Sequence, residues 1–145
     1  MSSPHTPPIE TDCSLSSIGV LVVDDQRAVR EGVARLLTCG KTPLRFVSTA
    51  ATGAEALGAA ALLRPDVVVL DVDLDGEDGL ALIPVLARTA SVLVLSSHGD
   101  TATRARAASL GASAFIEKHQ PAADLLGAFD YLGQMQFRVE GGENS

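Results

Sequence analysis

Five polar side chains pose the chemical question in this chain: Asp24, Asp25, Asp71, Ser96 and Lys118. Three are carboxylates, one is a hydroxyl and one an ammonium. Carboxylates gathered in a partly dehydrated place repel one another strongly and need a cation to stay together. Hard oxygen ligands in a small, wet cluster select Mg²⁺ or Mn²⁺, ions that keep several waters and accept a phosphate oxygen. The three acids carry −3, and one divalent ion with Lys118 restores +3. A phosphoryl group can then approach Asp71 without net repulsion, its oxygens neutralised by the ion and the ammonium. An aspartate carboxylate is a competent phosphoryl acceptor, and Ser96 offers a short hydroxyl donor to the new group.

These residues are far apart in sequence, so the fold has to bring them together. Each follows a run of apolar residues. VLVV at 20–23 leads into Asp24-Asp25, and VVVL at 67–70 leads into Asp71. VLVL at 92–95 leads into Ser96-Ser97-His98, and AFI at 114–116 leads into Glu117-Lys118. The runs are too short and too β-branched for helices, and apolar throughout, as in a parallel sheet covered on both faces. Weaker strand patterns lie at Leu44–Val47 and Ala114–Ile116. Between the strands the period changes. Val29, Val33, Leu36 and Leu37 share a helical face, as do Ala122, Leu125, Leu126 and Phe129. Ala54–Leu63 is alanine-rich, and Leu80–Ala87 reads as a helix in which Pro84 kinks the chain or sits in the first turn. The stretch 100–110 has little bulky apolar surface and should be the most loosely held helix. Strand and helix alternating five times predicts an α/β, doubly wound (βα)5 sandwich on a five-stranded parallel sheet. Ligands in such sheets bind outside the carboxyl ends of the strands, where all five polar positions fall.

Composition narrows the classes. A single domain of 145 residues and 15.0 kDa has a net charge of −7, which disfavours nucleic acid or an anionic membrane as a direct partner. The two cysteines, Cys13 and Cys39, fit no metal spacing and no disulfide framework, and read as reduced thiols of a cytoplasmic protein. No apolar run approaches the ~20 residues of a membrane span, and no signal peptide is evident. Residues 1–17 hold three prolines and five serines and are expected to be a disordered tail. The ordered domain is expected over 18–132, with 133–145 a C-terminal tail or linker stump.

The ordered set of an acidic pair after the first strand, Asp71 ending the third, Ser96 ending the fourth and Lys118 after the fifth resembles the receiver domain of bacterial two-component response regulators, the CheY-like superfamily. The resemblance implies the flavodoxin-like strand order 2-1-3-4-5 and a signalling switch rather than an enzyme, catalysing at most its own phosphorylation and dephosphorylation. It implies Asp71 as phosphoacceptor, supplied by a histidine kinase or phosphotransfer protein. Asp25 would be a direct metal ligand, Asp24 a ligand through water, and the backbone carbonyl of Asp73 the third protein ligand, with Mg²⁺ or Mn²⁺ as cofactor. Ser96 and Lys118 would bind the phosphoryl group, and Phe115 falls at the aromatic switch position. A homodimer and an attached transcription-regulating output domain are further implications. Gly79 matches the family's glycine. Asp75 stands where a proline is common, and Lys118-His119-Gln120-Pro121 replaces a frequent Lys-Pro pair.

Any one of these acids alone would be an ordinary solvated strand end or helix cap; the five together in order point to function. Asp73 and His98 are expected to rim the pocket, to interact across its mouth and to tune phosphoryl lifetime, His98 being able to change charge near neutral pH. The alternative is a haloacid-dehalogenase-like phosphohydrolase built on Asp71 and Asp73, because Asp71-Val72-Asp73-Leu74 resembles that family's opening motif. Against it, the acid pair precedes the motif here rather than following it. A flavodoxin-like FMN binder would need a Gly/Thr-rich phosphate loop after the first strand, which this chain lacks, and a receiver that has lost phosphorylation is at odds with every reactive position being filled.

Overall fold

The computed structural model describes residues 17–144. Of the expected N-terminal tail, residues 1–16 lie outside the described residues, Cys13 among them. The chain alternates β1 (Ile18–Val23), α1 (Arg27–Leu37), β2 (Leu44–Ala50), α2 (Gly53–Leu63) and β3 (Val67–Asp71). After a short antiparallel ribbon and a 3-10 turn come α3 (Ile83–Leu86), β4 (Ser91–Ser96), α4 (Thr101–Leu110), β5 (Ala114–Glu117) and α5 (Ala122–Asn144). The five strands are parallel in the order β2-β1-β3-β4-β5, the doubly wound arrangement expected.

Alternation along each strand divides the interior in two. Leu21, Val23, Val68, Leu70, Val92 and Val94 face the layer that includes Ala56 of α2, Ile83 and Leu86 of α3 and Ala107 of α4. Val20, Val22, Val67, Val69, Leu93 and Leu95 face Val33 and Leu37 of α1 and Leu125, Phe129 and Leu132 of α5. The central strands are buried on both faces, which is why they read as unbroken apolar runs. Phe129 is fully buried, and truncating it to Ala would cost about 3–5 kcal/mol.

Helix starts are fixed locally. Thr52 accepts from the Glu55 N–H at 3.1 Å while Glu55 accepts from the Ala51 N–H at 2.8 Å, a reciprocal cap for α2. Asp100 caps α4 through the Thr103 N–H. That helix buries only Ala107, in keeping with the loose packing its sequence predicts.

One expectation is corrected. The single helix over Leu80–Ala87 is instead a 3-10 turn, Gly79–Leu82, followed by one turn of α-helix, with Pro84 in the first turn. The cause is the backbone ahead of it. Asp73–Leu74 pairs antiparallel with Glu77–Asp78, Asp75 and Gly76 take positive φ, and Asp78 caps the Leu80 N–H. α5 runs on to Asn144, Gly133 is buried, and Gln136 donates to Ser91 Oγ at 3.0 Å. No proline follows Leu132 to stop the helix.

Candidate functional site

Strand register sets the site. Val23 lies level with Leu70, so the next residues, Asp24 and Asp71, end adjacent strands side by side. Asp71 is level with Leu95, one residue short of Ser96, and Ser96 is level with Glu117. The Lys118 N–H extends that last ladder, donating to the Ser96 carbonyl at 2.7 Å. All five polar positions therefore meet at the carboxyl edge of the sheet. Asp25, Asp71, Ser96 and Lys118 line a cleft of about 180 Å³ there, with Asp73 and His98 also on its wall.

The electrostatics are unbalanced. Ligand oxygens of Asp24, Asp25 and Asp71 lie within 4.8 Å of one another. Lys118 Nζ sits 3.2 Å from Asp24 Oδ2 and 3.2 Å from Asp71 Oδ1, one ammonium between two carboxylates that are almost wholly buried. Asp24 Oδ1 accepts from the Gln26 N–H at 2.9 Å, which turns the chain into α1. Asp24 Oδ2 has no hydrogen bond, although Lys118 is close enough for an ion pair; proximity supplies charge there without a donor's alignment. Burial, followed by the Asp24 charge, pushes the Asp71 carboxyl up to about 6, against the opposing pull of Lys118 and the Asp73 N–H. Burial draws the Lys118 ammonium down, but the charges of Asp71 and Asp24 more than offset this and raise it. A buried acceptor oxygen without a donor and a carboxylate excess beside a single ammonium are what a hard divalent cation would satisfy. The donor set fits Mg²⁺ or Mn²⁺.

The remaining residues fall in different places. The Ser96 hydroxyl donates to the His98 carbonyl at 2.8 Å and accepts from the His98 N–H at 2.9 Å, so it is held by its own turn. Phe115 is half-buried against the α2–α4 core layer, its ring face covered by the Arg104 guanidinium at 4.6 Å from the centroid. Asp73 and His98 are exposed on the cleft wall, and among the described residues no hydrogen bond or ion pair joins them. The expected interaction across the mouth is therefore not seen, and Asp100, two residues past His98, has its carboxyl held low chiefly by Thr103.

The loop after Asp71 depends on Gly79. A Cβ there would collide with the Asp71 carbonyl, and the Gly79 N–H donates to the Val72 carbonyl at 2.7 Å. Glu77 accepts from the Gly53 N–H at the start of α2, and Asp78 pairs with Arg106 of α4 at 2.8 Å, tethering the loop on both sides. Neither tether was visible in the sequence, because partners 24 and 28 residues apart leave no local pattern. The 28 is the separation of positions 78 and 106.

Comparison with known proteins agrees with this geometry. Residues 20–130 match the model of the response regulator receiver domain. The chain is 35% identical over 114 residues to the transcriptional regulatory protein LnrK of Bacillus subtilis, covering 77% of this chain and 51% of LnrK. It is 40% identical over 104 residues to protein-glutamate methylesterase/protein-glutamine glutaminase 6 of Anaeromyxobacter dehalogenans, covering 70% of this chain and 29% of that one. The chain thus spans about half or less of these relatives. A two-component response regulator of the LuxR family from Aurantimonas sp. SI85-9A1 has a similar structure, with a TM-score of 0.75, 29% identity, and coverage of 82% of this chain and 86% of that one. No helix among the described residues is long and apolar enough to cross a membrane. Because the matched span runs from within β1 to within α5 and carries all five polar positions in order, the chain belongs to the response regulator receiver domain family.

Proposed function

We propose that the chain accepts a phosphoryl group on Asp71 from a histidine kinase or phosphotransfer protein and thereby switches a surface that a partner or output domain reads. The observation that carries this reading is the shared ammonium: Lys118 Nζ stands 3.2 Å from both Asp24 and Asp71, at the floor of a cleft open to a donor.

Asp24, Asp25 and Asp71 would hold Mg²⁺ or Mn²⁺, with the Asp73 carbonyl as the further ligand the family resemblance implies. Bound there, the ion would supply charge neutralisation for the phosphoryl oxygens. In the transfer, the P–N bond of the donor phosphohistidine breaks and its electron pair returns to the imidazole. An Asp71 carboxylate oxygen forms the new P–O bond. Lys118 offsets charge on the transferred oxygens, and burial around Asp71 limits water that would hydrolyse the acyl phosphate. Ser96 can donate to the phosphoryl group only by giving up its bond to the His98 carbonyl, so occupancy of Asp71 is felt by the β4–α4 turn. Phe115, covered by Arg104 of the helix that follows that turn, is the proposed reporter, turning inward as Ser96 moves. The loosely held α4, with β5 and α5, is the proposed moving surface. The partner kinase and the cytoplasmic setting follow from the same reading, and transcription regulation is the output that relatives such as LnrK favour.

The test is incubation with acetyl phosphate and Mg²⁺ followed by intact mass. A gain of one phosphoryl group in the wild type, absent in Asp71→Asn, is expected. No gain in the wild type, or an equal gain in the variant, overturns the proposal.

A further inference from the structure

We propose that Arg104 is a positioning residue that holds the β4–α4 turn in the arrangement where the Ser96 hydroxyl is unavailable, so that the Arg104–Glu117 pair sets how readily the site takes a phosphoryl group. The inference rests on Asp71 being the acceptor and Ser96 its hydroxyl partner.

Arg104 makes three contacts with three separate parts of the site's frame. Its Nε donates to the Gly99 carbonyl at 3.2 Å, pinning the residue that follows His98. Its terminal nitrogen pairs with Glu117 at 2.7 Å, next to Lys118 at the end of β5. Its guanidinium plane covers the face of Phe115. A planar, forked cation suits all three at once; lysine would not, because it offers a point charge without the second aligned N–H. Glu117 fits against the turn because Gly99 has no side chain: a Cβ at Gly99 would strike the Glu117 carboxylate. The cluster is therefore closed on both sides of the turn.

Its consequence lies one residue earlier. The single proton of the Ser96 hydroxyl is committed to the His98 carbonyl, while the oxygen accepts from the His98 N–H. A phosphoryl oxygen needs that proton, so the bond to the His98 carbonyl must open, a rotation of the hydroxyl that is eased by a shift of the turn carrying that carbonyl. Arg104 opposes the shift by fixing Gly99, and it does so with a half-exposed pair whose partner Glu117 also meets His119 at 3.0 Å. The clamp is thus placed on the path between the acceptor and Phe115 without touching the acceptor.

The full chain with Mg²⁺ and acetyl phosphate provides the test, comparing Arg104→Ala and Glu117→Gln with the wild type. Glu117→Gln keeps the shape and removes the charge, so it reports on the clamp even where Arg104→Ala disturbs folding. Phosphoryl uptake is expected to quicken three- to tenfold in both. A second readout needs no phosphorylation: the His98 amide, protected by Ser96 Oγ, should exchange with solvent faster in both variants, while core amides such as Val69 and Leu93 keep their rates. Unchanged His98 exchange in both variants overturns the clamp. So does uptake within twofold of the wild type, and so does slower uptake from a loosened turn, since Arg104 would then be holding the receptive arrangement. Failure of the wild type to take any phosphoryl group would defeat the proposed function instead, and the exchange comparison would still decide whether Arg104 holds the turn.

Discussion

Replacing Asp71 with Asn should make the stability of the metal-free protein less dependent on pH, by an amount the cleft dictates. The Asp71 side chain is 4% exposed and its carboxyl is pushed up to about 6, burial contributing most and the Asp24 charge next. In the unfolded chain an aspartate titrates near ~3.9, so the shift is about 2 units, worth about 3 kcal/mol at ~1.4 kcal/mol per unit. The sign follows from which state holds the proton. Between about pH 4 and pH 6 the folded protein keeps a proton on Asp71 that the unfolded chain has released. Stability from this group is therefore full below about 4 and is lost as pH rises through about 6. Urea unfolding of wild type and Asp71→Asn at pH 4 and at pH 8, in a chelator, isolates it. Subtracting the variant's change from the wild type's cancels everything that does not involve Asp71 ionisation. The wild type should lose about 2–3 kcal/mol more than the variant, a shift of roughly 1 M or more in the urea midpoint at common slopes. Mg²⁺ at pH 8 should restore most of that loss in the wild type and little in the variant. A double difference below about 0.5 kcal/mol, or one of opposite sign, would mean that Asp71 is not held against burial and a neighbouring charge, and the electrostatic account of the cleft would fail.

Lys118→Met should destabilise the metal-free protein at neutral pH by about 2 kcal/mol, since it leaves Asp24 Oδ2 buried without a counter-charge beside Asp71. Mg²⁺ should recover a larger share of stability in this variant than in the wild type, read from urea midpoints with and without the ion. His98→Ala and Asp73→Asn should each change the rate of autodephosphorylation more than about twofold, or ~0.4 kcal/mol, because both side chains stand on the wall that water must pass. Rates within twofold would assign them to an ordinary solvated rim, and additive effects in the double variant would fit the lack of a bond between them.

What could be read from the sequence follows burial. β1, β3 and β4 are covered on both faces, so their apolar runs ended at the right places and delivered Asp24, Asp71 and Ser96 in register. The edge strands β2 and β5 are only partly covered, and their patterns were correspondingly weak. Leu80–Ala87 looked like one helix because apolar spacing says nothing about the backbone ahead of it: the short ribbon, the Asp78 cap and the close approach of Gly79 to the Asp71 carbonyl lead into a 3-10 turn before α3 begins. α5 runs through glycines at 141 and 142, which lower helix propensity, while earlier in the helix Leu132 is buried and Gln136 holds Ser91. Arg104 and Glu117 had no local signal at all. Thirteen residues separate them, and only the parallel pairing of β4 with β5 brings the arginine of one connection over the last residue of the other strand.

The requirements on Asp71 in its proposed role conflict, and the conflict accounts for the odd features of the cleft. Water must be kept from an acyl phosphate, which argues for burial. The carboxylate must be ionised to attack phosphorus, which burial opposes and which the Asp71 pKa of about 6 records. A second lysine would solve the ionisation problem permanently, but it would also neutralise Asp24 and Asp25 and remove their pull on a cation. A hydrogen bond to Asp24 Oδ2 from the protein would do the same more weakly. Leaving that oxygen without a donor and giving two buried carboxylates one ammonium keeps the site short of positive charge by an amount one divalent ion supplies. On this argument the instability of the metal-free cleft is a condition of its chemistry: a version of this chain relieved of it at neutral pH would be more stable and would bind the ion less well.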